Sequence, residues 1–129
     1  MTPSRPWLAK HVLTAALALA LAACSSDGTA PNRPGELRAV VVSPDGDLGA
    51  AVLELEGVAG ITPVAGRAFT ERNGDILRVV IVLDEPGQIE FLIRLSDMAG
   101  QPAAIIVEVA DGDNQVPESI SGYRVEFSQ

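Results

Sequence analysis

From residue 37 onward the chain alternates between apolar and polar positions. Between residues 88 and 95, Ile89, Phe91, Ile93 and Leu95 share one parity, and Glu90 and Arg94 share the other. Successive side chains of a strand point to opposite faces, so this spacing predicts a half-buried β-strand. Residues 50–56 carry the same period, with Val52 and Glu54 on one face and Leu53 and Leu55 on the other. Residues 119–127 end on Tyr123, Val125 and Phe127, which the period places inward. Further short strands are predicted at residues 37–43, 61–64, 67–72, 75–83 and 103–110. Residues 79–83 are apolar at five consecutive positions. That suits an interior strand covered on both faces, or on one face plus a loop.

The breaks between these runs have turn chemistry. Pro44-Asp45-Gly46-Asp47 closes the first run, Asp84-Glu85-Pro86-Gly87 reads as a Pro-Gly turn, and Asp111-Gly112-Asp113-Asn114 is a third turn. Residues 96–102 are a loop. Asn73-Gly74 predicts a type I′ hairpin, whose two central residues both need positive φ. Arg78 and Asp84-Glu85-Pro86 flank the most apolar run as guards against aggregation. No long segment repeats apolar residues at helical spacing, and no repeat of 20–50 residues is present. Seven or eight strands at mostly hairpin-length connections predict an all-β fold, an antiparallel two-sheet β-sandwich of immunoglobulin-like type over residues 37–129. The Cys…Trp…Cys core of antibody domains is missing.

The N-terminal segment differs in kind. Arg5, Lys10 and His11 form a cationic start, residues 12–20 are apolar with one Thr, and small residues follow. This is the pattern of an export signal, expected to be helical and cleaved. Its uncharged run, residues 12–24, has 13 residues, against the roughly 20 that a spanning helix needs. Leu21-Ala22-Ala23-Cys24 ends the run, and Cys24 is the only cysteine. This tetrapeptide resembles the lipobox of bacterial lipoproteins: Leu, two small residues, then Cys. The resemblance implies cleavage before Cys24, a diacylglyceryl thioether on its sulfur and a third acyl chain on its new amino group. Ser25 stands where the family's inner-membrane retention signal has Asp. The implied location is therefore the outer membrane of a diderm host, or the outer face of the cytoplasmic membrane otherwise. An ordinary secretory signal with an incidental Cys24 is the alternative. Residues 1–23 are thus expected to be a signal peptide and residues 24–36 a lipidated Cys on a Ser/Gly/Pro-rich tether, with a reach on the order of 20 Å.

Composition then narrows the chemistry. Lys10, His11 and Trp7, each the only residue of its type, fall within the signal. Residues 24–129 keep seven arginines and all 17 acids, a net charge of −10. Without His, Lys or a free thiol, that part of the chain cannot build Ser-His-Asp or Cys-His catalysis, lysine nucleophiles, zinc sites of Cys and His, or disulfides. A strongly acidic field is also wrong for nucleic acid. Oxygen-based chemistry remains.

Asp45-Gly46-Asp47 and Asp111-Gly112-Asp113-Asn114 offer carboxylates to calcium, but each has too few for its six to eight ligands. The second cluster departs from the EF-hand loop at Val116 and Gly122. Turn formation explains both clusters better. Aromatic platforms for carbohydrate are limited to Phe69, Phe91, Tyr123 and Phe127, for which core packing is the better reading. Ser43, Ser96 and Ser119 lack a nucleophile-elbow context.

The block from residue 74 to residue 114 loosely resembles the cohesin and carbohydrate-module class of β-sandwiches. No residue roles carry over. The expectation is a lipid-anchored cell-envelope lipoprotein acting as a non-enzymatic interaction or structural module, with no cofactor. Its partners would be the membrane, through acyl chains on Cys24, and an envelope or surface protein. A calcium- or carbohydrate-binding module at the cell surface is the alternative, and a carboxylate hydrolase is the third.

Overall fold

The structure, a computed structural model, describes residues 32–129. The signal segment, Cys24 and most of the tether lie outside the described residues, as do the readings placed on them.

The described residues form eight strands: β1 (Gly35–Val42), β2 (Leu48–Glu56), β3 (Gly60–Pro63), β4 (Arg67–Asn73), β5 (Ile76–Gly87), β6 (Glu90–Leu95), β7 (Ala103–Asp111) and β8 (Arg124–Ser128). They form two antiparallel sheets of four. One runs β3-β6-β1-β8 and the other β4-β5-β2-β7. This is the predicted sandwich. The strand faces follow the alternation: Ile89, Phe91, Ile93 and Leu95 from one sheet meet Leu53, Leu55, Val79 and Ile81 from the other in a single buried cluster. Tyr123, Val125 and Phe127 pack against its margin. The cluster contains no buried polar or charged residue, so no desolvated charge needs compensation.

Three expectations are corrected. The connections are not mostly hairpins, because only β4–β5 joins neighbouring strands and every other link crosses between the sheets. Residues 84–87 are not a free turn. β5 runs through them to Gly87, which pairs with Leu48 beyond an irregularity whose extra residues, 83–86, lie on β5. Only Gly87 regains a partner; residues 83–86 have none in the register with β2 or β4, and the chain rejoins the ladder after them instead of reversing. The last strand starts at Arg124 instead of Ser119; a Tyr123 N–H to Ile120 C=O bond and Gly122 at φ +87° bend the preceding residues.

The single hairpin is present, shifted by one residue. Asn73 pairs with Ile76, so its two turn residues are Gly74 and Asp75. Of these, only Gly74 has positive φ, at +60°. Glycine at the first central position is the requirement of a type II′ turn, not type I′.

Candidate interaction surface

The four strands of the β4-β5-β2-β7 sheet pair in rows, and alternate rows point away from the core. Phe69, Val80, Val52 and Glu108 lie side by side in one outward row. Arg67, Val82, Ala50 and Ala110 form the next, and Glu71, Arg78, Glu54 and Ile105 lie on the other side. The centre of this face is apolar. Phe69 is 60% exposed, Val82 41% and Ile105 62%, with Val80 and Val52 half-buried between them. Val107, also exposed, is the extra residue of a β-bulge between Ile106 and Glu108. Aliphatic neighbours on adjacent strands stand close enough to shield one another, which leaves one continuous band.

This band is what the sequence reading missed. Residues 79–83 carried the signal: Val79 and Ile81 enter the core, while Val80 and Val82 face outward. The run implied cover on both faces, or on one face plus a loop. Among the described residues nothing covers the outer one. Of the four aromatic side chains among the described residues, Phe91 is fully buried and Tyr123 and Phe127 are partly buried, as expected, but Phe69 is not.

The two acidic turns come together at one end of the sandwich. The Gly112 N–H donates to the Asp47 carbonyl at 3.0 Å, and the Tyr123 hydroxyl donates to Asp45 Oδ2 at 2.9 Å. Asp111 Oδ1 accepts from the N–H groups of Asp113 and Gln115, at 2.9 and 2.8 Å. Its carboxylate thereby closes an Asx-type turn, with Asn114 in the left-handed region at φ +59°. No group of three or more potential metal-ligating side chains forms among the described residues. Tyr123 has its pKa raised, first by partial burial and then by its bond to Asp45. An ionised ring would face a carboxylate there.

A second acidic pair, which the sequence reading did not connect, borders an exposed depression lined by Glu56, Val58, Ala59, Arg72, Asp75 and Ser96. Arg72 does not bridge the two carboxylates. Its Nη2 donates to the Val58 carbonyl at 2.7 Å and the Ala59 carbonyl at 3.2 Å, tying β4 to the crossover after β2. Ser43, Ser96 and Ser119 lie in connections between strands, and among the described residues no basic side chain is bonded to any of them. No protein family, curated protein or solved structure significantly matches this chain.

Proposed function

We propose that this chain is a lipid-anchored β-sandwich of the cell envelope that acts by contact and not by catalysis. The observation that carries the reading is the apolar band on the outer face of the β4-β5-β2-β7 sheet. A contiguous exposed apolar patch on a folded domain marks a surface that another molecule covers. Lipidation at Cys24 would supply the location. Two or more acyl chains hold a protein stably at a membrane, and a polar tether sets the domain off from it.

The test has two arms. Cys24→Ser should release the chain from the membrane fraction or block its processing; a variant that stays mature and membrane-bound refutes the anchor. A photo-crosslinking residue placed at position 69 should form adducts in the envelope, while the same residue at position 38, on the opposite sheet, should not. Equal labelling from both sites, or none from either, refutes the contact surface.

Phe69 also supports a second reading, carbohydrate binding, because an exposed ring on a sheet face can stack on a sugar. That reading requires retention on envelope polysaccharide that Phe69→Ala abolishes.

A further inference from the structure

The four edge strands of the sandwich are protected unequally. β3 has four residues and ends in Pro63. β8 has five, and its outward Arg124 and Glu126 bond to each other at 2.7 Å. β7 is interrupted by its bulge. These are devices that keep a sheet edge from pairing with another chain. β4 has seven residues in unbroken register with β5, without proline or bulge. Among the described residues no backbone hydrogen bond reaches its outer side.

Hydrogen-bond parity fixes what that edge offers. The two-residue turn closes on Asn73 and Ile76 as a bonded pair, so residues 67, 69, 71 and 73 direct their backbone groups to β5. Ala68, Thr70 and Arg72 direct theirs outward. At the Arg72 end the edge is already occupied, because the guanidinium reaches over to Val58 and Ala59. The open stretch is residues 67–71, and its centre is Phe69.

We infer that two copies of this chain pair antiparallel through β4 about a two-fold axis at Phe69. This names the partner of the contact surface proposed above and rests on that reading. In this register Ala68 and Thr70 of one copy exchange both backbone bonds with Thr70 and Ala68 of the other. Phe69 meets the second copy's Phe69 at a non-bonded position, where side chains approach most closely. Arg67 falls opposite Glu71, twice. Neither Arg67 nor Glu71 forms an ion pair within its own chain among the described residues. Sliding the register to centre on Ala68 or Thr70 satisfies the same backbone groups but sets Arg67 against Phe69 or Asn73. The charges therefore select the Phe69-centred register, and the β4-β5-β2-β7 sheets of the two copies join into one of eight strands with a continuous apolar band.

The register is read by single cysteines in the full-length chain, expressed in a bacterial envelope and mildly oxidised. Phe69→Cys should give a disulfide-linked dimer several-fold more abundant than Ala68→Cys or Thr70→Cys. Dimers strongest at either neighbour, equal at all three, or absent from all three overturn the inference. The chain with no added cysteine reports on the anchor separately. If it is soluble and crosslinks through Cys24, the anchoring reading fails while the position-69 pattern can still be scored by difference. Membrane-bound protein without a position-69 dimer refutes self-pairing alone. In the full chain held in detergent, Arg67→Glu or Glu71→Arg should each abolish the dimer by sedimentation, and the double exchange should restore it. No restoration, with all three variants folded by circular dichroism, overturns the charge pairing.

Discussion

The two sheets share one core and present opposite outer faces. On the β3-β6-β1-β8 sheet the outward positions include Glu36, Arg38, Glu90, Arg94, Arg124 and Glu126, with Arg38–Glu90 and Arg124–Glu126 paired. On the β4-β5-β2-β7 sheet the centre of the outward face is Phe69, Val80, Val82 and Val52. Charge there lies around that centre: Arg67 at one end, Glu54, Glu71 and Arg78 at the other, and Glu108 on the β7 edge. A chain selected only to fold and stay soluble needs one apolar face per sheet. The first sheet stays close to that minimum, its outward Val40, Val42 and Leu92 half-buried among the charges, and the second exceeds it with Phe69, Val82 and Ile105 exposed. The excess is where contact with another molecule would be made.

Two phenylalanines give the comparison its sharpest form. Phe91 on β6 is fully buried and Phe69 on β4 is mostly exposed. Phe91→Ala should destabilise the fold by about 3–5 kcal/mol, through lost burial and the cavity left behind. Phe69→Ala should change monomer stability by no more than about 0.5 kcal/mol. Urea denaturation of both variants measures the difference. A cost at Phe69 comparable to that at Phe91 would mean that Phe69 serves the fold, and the second sheet would lose its distinctive role.

The placement of β4 itself depends on Gly66, which has φ +75° and whose missing Cβ would collide with the Val82 carbonyl. Gly66→Ala should cost well over about 1 kcal/mol, because the left-handed conformation and a backbone clash act together. Gly46 has φ +93° with open space around it, so Gly46→Ala bears only the conformational part. Thermal melts should rank them in that order. Equal losses would show that β4 is not held against β5 by this close approach.

On the other sheet the effect is smaller. Arg38 and Glu90 sit across the β1–β6 ladder with side chains 54% and 19% exposed. Solvent screening limits such pairs, and a double-mutant cycle with Arg38→Ala and Glu90→Ala should give a coupling below about 1 kcal/mol. A larger value would make the charged face a structural element and not just a solvated one.

The sequence shows these contrasts unevenly. The β6 alternation is readable because one side of it is polar, so period alone separates core from solvent. The two-layer fold follows from several such runs. The β5 run defeats the same logic: Val79 to Leu83 offers no polar position to mark the outer face, and cover on both sides, by a sheet or by a loop, is the inference it invites. Phe69 was obscured for a related reason, since large aromatic rings are usually buried and β4 is otherwise polar. The bonded pair of acidic turns was also out of reach. Asp45 and Tyr123 are 78 positions apart, and only the crossings between sheets bring them together. At Gly74 the dipeptide marked the hairpin correctly, but cross-strand register moved the turn by one residue.

The smallest expected effect lies where those crossings gather. Tyr123, just before β8, donates to Asp45 in the link from β1 to β2. Its raised pKa means that the folded chain holds this proton more tightly than the unfolded chain does. Stability from this contact is therefore fully present below about pH 10, the unfolded value. It is lost as pH rises from there through the folded pKa. The chain has one tyrosine, so phenolate absorbance follows this group alone. The native titration should lie above that of the protein in denaturant. Asp45→Asn should bring it part of the way down. The remainder should persist, because partial burial is the larger cause and does not depend on Asp45. A complete return in Asp45→Asn would make the carboxylate the whole cause. No difference between the native and denatured titrations would remove the bond between the two crossings.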